Sequence, residues 1–424
     1  MLDVLSTNHY IIIFSSIIII SYFFNSYSKK TGVPSVLMLI VLGMVFGVYM
    51  DFQDRFSFIL EILGTVGLIL IVLEGALGLK LLKSNIPIIF KSFAVSAVTL
   101  GGSSYIGALV LNSFFQLDIG VSLLITVPLS ILSSSILLPS IDSVEENKRE
   151  FLIYESTFSD IIGIIFFYTV LRLTMSINVF VPEYGLIISN LFGTTLFSVI
   201  ISFLLIYVFQ KLTGQAKLFL LISVLMILYA FAEMLNFSSL IIILMFGLIL
   251  NNYKLFFKGI LLKLIENEEK VESIIDDFKV VTLESAFVVR TFFFIIFGWS
   301  IKITDLFDLK SLVIGGTIVL IIFSVRMVTL LIFSKTTSVK KITPELFLAP
   351  RGLLTILLFY SIPRNLLPTN INFEGVFLYV IIICCLIMAW SLIYEKKKRE
   401  LKENEDFEIL NVEDVDVNEK DLHK

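Results

Sequence analysis

The sequence predicts an all-α polytopic membrane protein of about thirteen transmembrane helices. Three observations carry that expectation. The chain of 424 residues is 57% hydrophobic and only 16% charged, with a mean hydropathy of +0.97, whereas a soluble domain has roughly a quarter of its residues charged. Apolar runs of about 20 residues recur along it, each long enough to cross a bilayer with its backbone hydrogen-bonded internally. The basic residues alternate between successive connections.

Taken in order, the spans are expected at about 9–27, 33–50, 57–79, 87–111, 118–141, 150–174, 185–210, 217–235, 238–252, 280–301, 310–333, 343–363 and 373–394. Met1 to Tyr10 carries no lysine or arginine, so the first apolar run is expected to remain as a helix. The loops after odd spans carry Lys29 and Lys30, Lys80 and Lys83, Lys148 and Arg149, Lys211 and Lys217, Lys254 to Lys270, and Lys335, Lys340 and Lys341. The loops after even spans carry little: Arg55, Lys302, Lys310 and Arg364, most of them beside acids. By the positive-inside rule the amino terminus is outside and the carboxyl terminus cytoplasmic. The domain reading is a transmembrane unit over 1–399 and a flexible acidic tail over 400–424, poor in aromatics. The long connection 253–279 mixes apolar and charged residues, as an amphipathic helix on the membrane surface or a solvated linker helix would.

The sixth span departs most from a lipid-facing helix. It contains Glu155-Ser156-Thr157-Phe158-Ser159-Asp160, with Asp160 near its middle. An intramembrane carboxylate costs at least a few kcal/mol and normally faces a bundle interior or a water-filled path. Ser156 and Asp160, four apart, share one helix face, and Glu155 and Ser159 share the next. A carboxylate beside a hydroxyl is a set of hard oxygens suited to a proton or a small hard cation. The competing reading is a buried acid neutralised by a basic partner.

Four other spans hold features of the same kind. The third contains Glu74-Gly75-Ala76-Leu77-Gly78, an intramembrane acid. The fifth contains Thr126-Val127-Pro128 and then Ser133-Ser134-Ser135; a mid-span proline removes a donor, clashes with the preceding turn and frees carbonyl groups. The eleventh contains Arg326 and the twelfth Ala349-Pro350-Arg351-Gly352. Arginine keeps its charge in a protein and must find carboxylates, carbonyls or water. Glu155 and Glu74 are the available acids, so a Glu155–Arg326 pair is expected with Glu74 nearby, while Arg290 and Glu284 read as span-end anchors or a local pair. The fifth and twelfth spans, both proline-broken, would be equivalents if spans 1–6 and 8–13 are inverted repeats joined by span 7, a transporter pattern with its site at the midplane. Cys384 and Cys385, adjacent in an apolar run, read as packing residues. With His9 and His423 as the only histidines and no phosphate-binding loop, the sequence points away from an enzyme, from nucleic acid and from a bound cofactor.

These residues resemble the sodium/proton exchanger branch of the monovalent cation:proton antiporter superfamily. Glu155-Ser156-x-x-Ser159-Asp160 looks like its Glu-Ser-x-x-Asn-Asp signature. Leu73-Glu74-Gly75, Arg326 and Pro350-Arg351-Gly352 resemble its third-span acid, its interior basic residue and the motif of its second broken helix, in order. The resemblance implies a sodium/proton antiporter-like fold and exchange of a monovalent cation, sodium first with potassium or lithium as alternatives, for a proton across the cell membrane. It implies that Asp160 binds cation or proton, that Ser156, Thr126 and Ser159 belong to that site, that Glu155, Arg326 and Glu74 are structural, and that the protein is a homodimer. Two positions depart from the pattern: Ser159 stands for the asparagine, and Val127 for the acid usual after the threonine. Asp160 is then the only acid in the expected site, which predicts electroneutral exchange. The alternative is an uncoupled or ligand-gated potassium efflux protein.

Overall fold

The computed structural model describes residues 7–49, 55–81, 85–141, 144–176, 184–211, 217–235, 237, 239–257, 268–301, 308–368 and 371–421. Among them the chain is all helical, and each expected span corresponds to a helix or to a broken pair. The order is α1 (Thr7–Thr31), α2 (Ser35–Tyr49), α3 (Arg55–Gly78), α4 (Ile86–Phe115), α5 (Ile119–Ser130), α6 (Ser134–Leu137), α7 (Glu146–Ser176), α8 (Tyr184–Lys211), α9 (Lys217–Met234), α10 (Ser239–Asn251), α11 (Tyr253–Phe256), α12 (Glu268–Ser300), α13 (Leu309–Phe333), α14 (Leu353–Tyr360) and α15 (Phe373–Asp421). A 3₁₀ turn at Leu138–Ser140 extends α6, and another, Val339–Ile342, precedes the stretch leading to α14. Among the described residues eight helical stretches, one of them α5 with α6, are long and apolar enough to cross a membrane, and α2, the Ile62–Gly78 part of α3, α9 and α10 are shorter apolar helices.

The helices pack as two bodies that interleave along the chain. In one, α12 lies along α2 and α3, and α10 packs on α3, α8 and α9. In the other, α4, α5 and α7 pack together, α13 rests on α4 and α15, and α14 packs on α5. Contact between the bodies is sparser and runs mainly through α3 against α6, α7 and α14, and α10 against α7. In lipid no hydrophobic force pulls helices together, so close approach of small residues does. Gly43 of α2 and Gly298 of α12 show this reciprocally: a Cβ at Gly43 would strike the carbonyl of Ile295, and one at Gly298 the carbonyl of Ile40. Side chains such as Phe90, Phe114, Phe219, Leu320 and Ile332 point outward at 65–78% exposure, the lipid-facing surface of a membrane bundle.

The structure differs from the sequence reading in three elements. The twelfth span is helical only over Leu353–Tyr360, and its first half is irregular chain. The connection 253–279 is a short helix, α11, followed outside the described residues by 258–267 and then by the first three turns of α12, so its second half belongs to the tenth span. The tail beyond 400 continues α15 to Asp421; no glycine or proline follows Gly375, so nothing in the backbone chemistry stops the helix there.

Candidate functional site at two interrupted helices

The first interruption lies between α5 and α6. Pro128, two residues from the end of α5, has no N–H and cannot continue the hydrogen-bond ladder. The chain turns extended at Ile131 (ψ 129°) and at Ser133 (ψ 111°), then resumes as α6. Backbone N–H groups at membrane depth must each find an acceptor, and three consecutive ones do. Leu132 N–H donates to Ser159 Oγ at 2.9 Å. Ser133 N–H donates to the Pro350 carbonyl at 3.0 Å. Ser134 N–H lies 3.4 Å from Asp160 Oδ2, which also accepts a short hydrogen bond from the Ser134 hydroxyl. Neighbouring residues of α7 thus close the break from one side, and the second broken span closes it from the other.

Asp160 is partly buried, with Oδ2 engaged by Ser134 and Oδ1 buried without a hydrogen-bond partner. Of the hydroxyls expected around it, the structure turns two elsewhere. The Ser156 hydroxyl donates to its own helix at Ile153 O, 3.2 Å away. The Thr126 hydroxyl bonds the carbonyls of Ser104 and Ser122 at 2.8 and 2.9 Å, joining α5 to α4. Four-residue spacing put Ser156 on the right face, but a serine inside a helix readily bonds back to the preceding turn. Ser159 is brought to the break as an acceptor for Leu132. Ser134, inside a run of three serines, was not separable by sequence from its neighbours.

The adjacent acid has a different environment. Glu155 is 1% exposed, and Arg326 meets it with both terminal nitrogens at 2.6 and 2.9 Å. The same guanidinium donates from Nε to the carbonyls of Glu345 and Leu346, at 3.1 and 3.2 Å, and from Nη2 to Glu345 O at 2.8 Å. Arg326 therefore ties α7 and α13 to the irregular chain before α14. Such a two-pronged pair is the strong form of a charge-assisted hydrogen bond. Glu74 takes no part in it. It pairs with Arg290 of α12, whose Nη1 lies 3.2–3.3 Å from its carboxylate oxygens. The grouping of Glu74 with Glu155 and Arg326, and the reading of Arg290 as an anchor, are corrected accordingly: α3 packs on α12, so the acid meets the arginine of its own body.

The second interruption carries Pro350, Arg351 and Gly352. A Cβ on Gly352 would come against the Ser133 side chain and within 2.7 Å of Ile136 Cδ1, so the crossing of the two breaks requires glycine. Arg351 is 1% exposed, with Nε and Nη1 lacking hydrogen-bond partners. The Cys384 thiol lies against its guanidinium, and Cys385 Sγ is 3.8 Å from its carbonyl. The two cysteines are free and buried, as packing residues would be, but they pack on the polar chain of the break.

The family profile described as sodium/hydrogen exchanger, transmembrane, matches residues 13–393. The chain belongs to the sodium/hydrogen exchanger family. That is a transporter family, not an enzyme family, and it makes this an integral membrane protein of cation and proton exchange. Among solved structures, the chain is similar to the sodium proton antiporter MjNhaP1 from Methanocaldococcus jannaschii at pH 8, with TM-score 0.69 and 19% identity over 91% of this chain and 97% of that one. A second structure of the same antiporter, from electron microscopy, matches with TM-score 0.66 and 19% identity over 94% and 98%. No curated protein sequence matches the chain. The antiporter-like fold that the resemblance implies is the fold observed.

Proposed function

We propose that this exchanger carries a monovalent cation, sodium first, against a proton by alternating access, with Asp160 as the shared carboxylate. The observation that carries the reading is the half-engaged carboxylate: Oδ2 is anchored to Ser134, and Oδ1 is buried and unpartnered beside a helix break. Either a proton or a cation on Asp160 satisfies that oxygen. A carboxylate that holds one or the other, but not both, exchanges them whenever only the loaded carrier crosses. Glu155 is held apart from this chemistry by Arg326. The body of α4–α7 and α13–α15 carries Asp160, and its sparse contacts with the other body suit movement of one against the other. In this reading the lysine-rich ends are cytoplasmic, the unit over 1–399 combines inverted repeats 1–6 and 8–13, and two copies form a homodimer in the cell membrane.

The test is cation-driven pH change in sealed proteoliposomes, with sodium, potassium and lithium added in turn and the membrane potential clamped at several values. Sodium is expected to drive proton movement with a reversal point set by the two ion gradients alone. A reversal point that moves with voltage refutes one-for-one exchange. Cation flux without proton movement refutes the exchange itself.

A further inference from the structure

The exposed side of α15 changes character along a stripe spaced by four residues: Leu386, Trp390, Tyr394 and then Lys398. The first three are 55–59% exposed, and the Lys398 side chain is 53% exposed. Trp390 and Tyr394 stack with ring centroids 6.1 Å apart, and Phe347, of the chain before α14, meets Trp390 edge-on at 5.7 Å. Outward-facing tryptophan and tyrosine mark the level at which a helix leaves hydrocarbon for headgroups. One turn beyond them, about 6 Å along the helix axis, Lys398 lines a cavity of about 300 Å³. Its other walls are Glu145 and Lys148 at the start of α7, Lys340 and Thr343 around the 3₁₀ turn Val339–Ile342, and Glu395 of α15.

The cavity carries charges of both signs, and they differ in how far they are committed. Lys148 is fully engaged: its ammonium donates to the carbonyls of Lys341 and Thr343 and pairs with Glu345 at 3.0 Å. Lys398 and Glu395 stand 4.0 Å apart, at the outer limit of an ion pair. Lys340 and Glu145 are exposed, and among the described residues neither has an ion-pair partner. An ammonium only donates and a carboxylate only accepts, so the open groups call for a ligand with both anionic oxygens and N–H donors. A phosphate with a primary ammonium a few bonds away is such a ligand. A purely anionic headgroup would leave Glu145 and Glu395 facing like charge, and a quaternary ammonium has no N–H to give them. The space lies at the small end of the ligand-pocket range, ~300–1,000 Å³.

We propose that this cavity holds the headgroup of a phosphatidylethanolamine-type lipid, with its phosphate on Lys340 and Lys398, its ammonium on Glu145 and Glu395, and its acyl chains along Leu386, Trp390 and Tyr394. The site goes beyond the exchange reading and does not depend on it. It abuts the chain that Arg326 holds, since Thr343 lies two residues before Glu345. The test is native mass spectrometry of the full chain in detergent, with equal amounts of phosphatidylethanolamine, phosphatidylglycerol and phosphatidylcholine of one acyl composition. Wild type is expected to retain the ethanolamine lipid at least three-fold over either of the others. Lys340→Gln with Lys398→Gln should bring that retention down to the choline level. Glu145→Gln with Glu395→Gln should turn the preference towards the glycerol lipid. Each ratio is read within one sample, so it does not depend on how stable a variant is, and Glu145→Gln alone, at an exposed position, should move the ratio in the same direction. Equal retention of the three lipids by wild type, a wild-type preference for the glycerol lipid, or an unchanged ratio in either double variant overturns the proposal. So does displacement of the lipid by excess inorganic phosphate, which would make the cavity a free-phosphate site.

Discussion

The two interrupted helices are held in opposite ways. At the first, between α5 and α6, the chain presents N–H groups, and side-chain oxygens of α7 accept them. At the second, before α14, the chain presents carbonyls, and Arg326 donates to them. Arginine never loses its proton in a protein, so its grip is fixed. A carboxylate can trade its partners for a proton or a cation, so the grip of Asp160 is conditional. The two breaks meet where Ser133 N–H donates to Pro350 O. In the proposed exchange, one break responds to its occupant, and the other stays put and supports it.

That contrast can be broken most directly at the responsive side. Asp160→Asn is expected to reduce cation-driven proton movement in proteoliposomes more than a hundred-fold while the protein inserts and elutes normally; transport within a few-fold of wild type removes Asp160 from the mechanism. At the fixed side the effect should appear as stability. Removing one partner of a buried pair strands a charge at about 3–5 kcal/mol. Glu155→Gln and Arg326→Gln should each lower thermal stability in detergent more than the double substitution adds to either, and simple additivity in that cycle would show that the pair is not coupled. The crossing itself is sharpened by Gly352→Ala. The added methyl has to displace Ser133 or Ile136, a strain of about 1–3 kcal/mol, and transport should fall about ten-fold, read as initial rate at saturating sodium. The smallest effect is expected at Thr126→Val, whose hydroxyl is committed to Ser104 and Ser122. It should cost about 1 kcal/mol and change sodium affinity less than three-fold. A ten-fold loss of affinity would instead make Thr126 a ligand.

Much of the architecture was legible because lipid constrains sequence severely. Thirteen apolar runs, the alternation of lysines, and prolines at 128 and 350 all report on backbone satisfaction in a medium without water. The Glu155–Arg326 contact was open to inference because intramembrane charges are few and must pair. The same reasoning misplaced Glu74, since counting acids and arginines says nothing of which helices touch. Arg290 reads as a span-end anchor in the sequence, yet it sits inside α12 and meets Glu74 across α3 and α12. Ser156 and Thr126 were selected by spacing and motif, but a hydroxyl in a helix can bond its own backbone as readily as a ligand.

What the sequence by itself determined is the set of segments, their order and the residues that cannot face lipid, because each follows from transfer of a known group into hydrocarbon. What only the tertiary structure decided is the partition into two interleaved bodies, the meeting of the two breaks at Ser133 and Pro350, and the choice of Ser134 as the hydroxyl on Asp160. Those depend on which distant helices touch and in what rotation, and in a nearly uniform apolar sequence many rotations bury the same surface. Backbone hydrogen bonds left open by the two breaks select among them.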